Sequence, residues 1–190
     1  MKIVVINGSP RKRGNTATVL DWVEAALEKS GHKVRHVHIA DKKVYGCIGC
    51  YKCKRDPEKL VCKFNDDGHK LFRRMMRSDV IIYASPLYCW GFTSQMKPFI
   101  DRHMCLVTGY GNPEKWKSLI EGKRVGLLVT AEDHEGPGNT DTISMVFERL
   151  AGYTKTEIAG SLIVPHCSTP ANLGEDQKKL ALDFAARIVA

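Results

Sequence analysis

Cys47, Cys50, Cys53 and Cys62 occupy one short stretch, three of them within the run GCIGCYKC. Their spacing is C-x2-C-x2-C-x8-C. Soft thiolates select zinc or iron–sulfur clusters. A compact C-x2-C-x2-C run resembles ferredoxin segments, in which neighbouring thiolates reach several corners of one [4Fe–4S] cube. Structural zinc more often uses two separated C-x2-C pairs. Three chemistries stay open on spacing alone: a [4Fe–4S] cluster, redox-active or free thiols, and zinc or structural packing. Lys52, Lys54, Arg55, Lys59 and Lys63 surround the thiols. They suit an anionic centre and equally a solvated loop.

A second constellation is GSPRKRGNT at 8–16, between an apolar run and a helical pattern. A helix N-terminus offers unpaired N–H groups and the positive end of a dipole, both suited to phosphate. Ser9, Asn15 and Thr16 add side-chain donors, and Arg11 adds charge. A Walker A loop needs G-x4-G-K-[ST], whereas five residues separate Gly8 from Gly14 and Asn15 stands in the lysine position. The dinucleotide pattern G-x-G-x-x-G is absent as well. A monophosphate of the kind FMN carries fits best; the alternative is an ordinary capped turn.

The elements that position these groups alternate along the chain. Short apolar runs at 2–8, 33–39, 80–85, 124–131 and 156–164 read as strands. Helical periods run over 16–31, 66–79, 93–106, 140–152 and 172–190, with Asn15 or Thr16 as the first N-cap and Gly31 as C-cap. Residues 110–122 read as a loop with a short helix. Five strand–helix alternations imply an α/β, three-layer, doubly wound fold with a five-stranded parallel sheet. Five strands suit the flavodoxin-like order 2-1-3-4-5, with ligands at the C-terminal strand ends. The expected organisation is a single domain over 1–190 with a cysteine-rich loop at 40–65. So long a loop in a compact domain needs something to order it.

INGSPRKRGNT, together with ASPLYCWGFTSQMKPFIDR at 84–102, resembles the NAD(P)H-dependent FMN reductase branch of the flavodoxin-like superfamily. With the cysteine segment between them, the chain looks most like the iron–sulfur flavoproteins of that branch. The resemblance covers residues 1–105 most strongly. It implies an FMN whose phosphate is held by Ser9, Arg11, Asn15 and Thr16. It implies an isoalloxazine wrapped by Pro86, Leu87, Tyr88 and Trp90. It implies a [4Fe–4S] cluster on Cys47, Cys50, Cys53 and Cys62, with a last gap slightly longer than the family's. The chemistry would be flavin-centred, with NAD(P)H as donor and no obligate acid–base residue. The acceptor would be a small molecule or a ferredoxin-like protein, and the assembly a homodimer or homotetramer. The loop TAEDHEGPGN departs from the Gly-rich pattern expected there. Cys89 falls in the flavin loop, and Cys105 and Cys167 read as core or surface residues.

Composition narrows the alternatives. Lys and Arg number 29 against 21 acidic residues, a net charge of +8. No nucleic-acid-binding signature accompanies that charge. The first apolar run, about five residues, is too short for a signal peptide. No stretch approaches the roughly 20 apolar residues of a membrane helix. The expected location is cytoplasmic, where structural disulfides are rare. Two further readings remain: a cluster-free NAD(P)H-dependent FMN or quinone reductase, and a non-enzymatic FMN electron carrier. The positive charge argues against the carrier, a class that is typically acidic.

Overall fold

The computed structural model describes residues 1–56, 58–109 and 112–190. In chain order the elements are β1 (Lys2–Asn7), α1 (Asn15–Lys29), β2 (Lys33–His38), α2 (Asp67–Met76), β3 (Val80–Pro86) and α3 (Lys97–Asp101). They continue with β4 (Val107–Thr108), β5 (Lys117–Ser118), β6 (Arg124–Thr130), α4 (Asp141–Thr154), β7 (Glu157–Val164) and α5 (Glu175–Val189). The main sheet is parallel, in the order β2-β1-β3-β6-β7. With the small β4–β5 hairpin set aside, this is the expected 2-1-3-4-5.

The central strands are continuous apolar runs because both faces are covered. Side chains alternate across the sheet. Val4, Ile6, Ile81, Tyr83 and Leu127 face Phe72, Met75, Phe99 and Phe147 from α2, α3 and α4. Ile3, Val5, Ile82 and Leu128 face Val19, Leu20, Phe184 and Ile188 from α1 and α5. The second layer packs closely enough to need a glycine. A Cβ on Gly126 would lie 2.3 Å from Ile188 Cδ1 and 3.0 Å from Phe184 Cζ.

A polar network sits inside the first layer. His103 is 1% exposed. Its Nδ1 lies 3.1 Å from both Phe99 O and Ile100 O, and its Nε2 lies 2.9 Å from Tyr83 Oη. The carbonyls require Nδ1 to carry the proton, so Nε2 accepts from the tyrosine. Burial pushes the His103 pKa down to about 4 and the Tyr83 phenol up.

Several boundaries differ from the sequence expectation. The helix expected over 93–106 is α3 followed by a tighter turn, Arg102–Leu106. Its first residues instead form a turn anchored by Thr93, whose hydroxyl donates to Gly8 O at 2.6 Å. Part of the 110–122 expectation, Tyr110 and Gly111, lies outside the described residues. The remainder holds only a short 3-10 turn, Pro113–Lys115, before β5. Gly14, rather than Asn15 or Thr16, stands at the N-cap of α1. Among the described residues no helix is long and apolar enough to cross a membrane. The edge strand β2 carries Lys33 and Arg35, and these line one groove with Lys70, Arg73, Arg74 and Arg77 of the α2 side.

Candidate functional site

At the C-terminal ends of β1, β3 and β6 lies a cleft of about 230 Å³. Ser9, Arg11, Asn15, Thr16, Pro86, Leu87 and Tyr88 all line it. These are seven of the eight residues that the sequence assigns to the cofactor. Trp90 stands outside the cleft lining and is 57% exposed.

One end of the cleft is built to receive an anion. Gly14 gives α1 no side-chain cap, and the first turn holds no acidic residue. The backbone N–H groups of residues 12–17 meet no acceptor among the described residues. Arg11 and Arg13 stand beside them, exposed. The side-chain donors are more committed than the sequence implied. Ser9 Oγ accepts from Arg11 N–H and lies 3.1 Å from Arg11 O. Thr16 Oγ1 pairs with Thr130 Oγ1 at 2.7 Å. Asn15 Nδ2 donates to Cys167 O, which leaves Oδ1 buried and unpartnered. The free donors are therefore mainly backbone N–H groups.

A second layer holds this loop. Ser9 N–H donates to Asn7 Oδ1 at 2.9 Å. Asn7 Nδ2 lies 3.3 Å from His36 Nε2, and His36 Nδ1 lies 2.6 Å from Glu24. The Glu24 hydrogen bond raises the His36 pKa. His38 Nε2 donates to Ser9 O at 2.7 Å.

The other wall is the loop after β3. Leu87 N–H donates to Thr130 O at 2.9 Å. Tyr88 and Gly91 exchange N–H to O bonds of 3.1 and 3.0 Å. Between them Cys89 and Trp90 have φ of 45° and 60°. That is the geometry of a type I′ turn, which favours Asn and Gly. Cys and Trp there cost roughly 1–2 kcal/mol each. Strained turns of this kind collect at functional sites.

The four clustered cysteines also come together. Cys47, Cys50, Cys53 and Cys62 line one cavity of about 70 Å³, floored by Arg102, Met104 and Cys105. Among the described residues no three His, Cys or carboxylate groups are close enough to share a single ion. Burial raises the Cys53 thiol pKa against the opposing effect of Lys54. Burial likewise lowers the Lys54 pKa. The Lys54 ammonium donates to Met104 O at 2.6 Å and to Val107 O, tying the cysteine segment to the stretch after α3.

Sequence reasoning missed Thr130, Glu132, Cys167 and Ser168 in the first cleft, and Arg102 and Cys105 in the second. Thr130 and Glu132 were findable, since β6 neighbours β3 and its C-terminal end must face the same crevice. Cys105 and Cys167, read as core or surface residues, are both buried, and each also borders a cavity.

Fold and clefts together define a flavodoxin-like α/β protein with a crevice of unpartnered N–H groups at its strand switch point. The chain belongs to the NADPH-dependent FMN reductase family, whose model matches residues 1–150. It is thereby a flavin-linked oxidoreductase. It is 35% identical to an iron-sulfur flavoprotein of Archaeoglobus fulgidus, over 99% of this chain and 79% of that one. A Methanocaldococcus jannaschii iron-sulfur flavoprotein is 36% identical over 58% of this chain, an alignment that spans 55% of that protein. Among solved structures, an FMN-dependent NADH-azoreductase from Bacillus anthracis in complex with FMN superposes with a TM-score of 0.70. The identity is 13%, with all of both chains covered. That likeness speaks for the fold alone.

Proposed function

We propose that the chain, as a single domain, is an NAD(P)H-linked FMN oxidoreductase that passes electrons between FMN and a [4Fe–4S] cluster. The observation that carries the flavin assignment is the run of unpartnered N–H groups at residues 13–16, which line the cleft walled by Pro86, Leu87 and Tyr88. The phosphate would sit on those N–H groups, with Arg11 supplying charge and Ser9, Asn15 and Thr16 shaping the loop. The isoalloxazine would lie against Pro86–Tyr88, with Trp90 closing over it from outside. Bound FMN would supply hydride acceptance and single-electron release. The protein's share is to fix the ring and exclude water, and no side chain is needed as an obligate acid or base.

Cys47, Cys50, Cys53 and Cys62 would hold the cluster. A cube takes thiolates spread around its corners. A single zinc needs four of them gathered at about 2.3 Å from one point. The four thiols line one cavity, and the compact C-x2-C-x2-C run, rather than two separated pairs, is what supports the cube. Electrons leave for a small-molecule or ferredoxin-like acceptor. Tyr45, Ile48, Tyr51, Tyr88 and Trp90 are large apolar groups left exposed around the two clefts. They suit burial between copies in a homodimer or homotetramer.

The test is the absorption spectrum of anaerobically purified protein, with iron and acid-labile sulfide assays. Flavin bands together with a broad absorption bleached by dithionite are expected. Flavin without iron would select the cluster-free FMN or quinone reductase. Failure to bind added FMN would sink the whole proposal.

A further inference from the structure

The motif MKPFIDR ends in an arginine that the flavin cleft does not use. Arg102 is 1% exposed and is among the largest fully buried side chains of the protein. Its Nη1 donates to Asp66 Oδ2 at 2.6 Å and to Tyr45 O at 3.3 Å. Its Nη2 donates to Cys62 Sγ at 3.4 Å and to Phe64 O at 3.5 Å. Asp66 accepts in turn from Tyr45 N–H at 2.9 Å and from His69 N–H at 3.3 Å, which makes it the N-cap of α2. One buried ion pair thus grips both ends of the irregular cysteine segment.

The four thiols are not equivalent in how they reach the cavity. Cys47, Cys50 and Cys53 come from one compact run. Cys62 comes from well beyond it, and a tertiary contact must return it to the others. Among the described residues the group that meets the Cys62 sulfur is the Arg102 fork. Space for that fork is reserved: a Cβ on Gly68 would lie 2.7 Å from Nη1 and 3.2 Å from Cζ.

We infer that Arg102 is a positioning residue for the four-thiol site, placing Cys62 as the fourth ligand and keeping a permanent cation against its sulfur. The inference rests on the reading of this cavity as a cluster site. A planar guanidinium can hold Asp66 and Cys62 at once, whereas a lysine ammonium is a single point charge on a flexible stem. Hydrogen bonds to ligand sulfurs are one of the levers on a cluster's potential. A cationic donor favours the more negative, reduced state, so Arg102 raises that potential.

The test reconstitutes wild type, Arg102→Lys and Gly68→Ala anaerobically with ferrous iron and sulfide. FMN retention serves as the folding control, because Arg102 borders the cysteine cavity and not the flavin cleft. Arg102→Lys is expected to keep FMN, and either to lose one iron corner, seen as a [3Fe–4S] EPR signal, or to hold the full cluster at a lower midpoint potential. Gly68→Ala displaces the same guanidinium without altering charge and is expected to shift the same readouts in the same direction. If the lysine chain loses FMN, the alanine chain decides. Unchanged iron content, EPR signal and potential in the FMN-retaining variants would overturn the inference. A wild-type chain that takes up no iron overturns the cluster reading itself, and this inference with it.

Discussion

Acidification should weaken the fold through His103, and the size of the effect follows from its surroundings. The ring is sealed among Tyr83, Phe72 and Phe99, and both its nitrogens are committed to neutral-state hydrogen bonds. Its pKa is about 4 in the folded chain against 6.5 for a free side chain. A depressed folded pKa means that the unfolded chain binds the extra proton first. Stability from this group is therefore complete above the unfolded pKa and is lost as pH falls toward the folded one. Going from about pH 7 to about pH 5, the loss is about 2 kcal/mol, taken from those two pKa values. Other groups titrate too. His36, raised by Glu24, acts in the opposite direction. A difference measurement removes them. His103→Gln retains one donor and one acceptor but cannot titrate. Urea unfolding of both proteins at the two pH values should show the stability difference moving by about 2 kcal/mol in the variant's favour at the lower pH. A difference that stays constant would show that His103 is not held neutral by burial.

Three further outcomes follow from the two clefts and the core. Arg11→Ala should weaken FMN binding by about 1.5–3 kcal/mol, the range for a hydrogen bond to a charged group, measured by flavin fluorescence titration; unchanged affinity would move the phosphate elsewhere. Trp90→Gly should relieve left-handed strain and raise the unfolding midpoint by the equivalent of about 1 kcal/mol. The same change should loosen FMN, so an unaltered flavin off-rate would remove Trp90 from the ring site. Gly126→Ala should cost about 1–3 kcal/mol by overpacking against Ile188 and Phe184, read as a lower Tm with FMN stoichiometry preserved.

The strand order was legible because buried parallel strands are continuous apolar runs, and KIVVIN and RVGLLVT are such runs. The position of the cleft followed from that order. Which donors are free did not follow. Thr16 looks like an available hydroxyl until the chain brings Thr130 beside it from the far side of the sheet. Gly14 as an empty cap was likewise hidden behind two better capping residues. The cysteine loop was expected to need a cluster or a subunit contact to order it. A buried arginine from the helix-like stretch after Pro98 meets much of that need, and no local pattern announces a partnership between Asp66 and Arg102. Cys105 escaped for the same reason, since its neighbours are distant in sequence.

The basic edge of the sheet has its own consequence. Among the described residues β2 pairs with β1 on one side only, so its other side offers open backbone groups. Such an edge is a template for strands of other chains. Lys33, Arg35, Lys70, Arg73, Arg74 and Arg77 crowd the groove beside it. Any second copy approaching edge to edge would bring an identical row of cations against this one. The excess positive charge that first raises the question of nucleic acid thus acts, at this edge, against self-stacking of the sheet, which is costly at low salt and less so as salt screens it.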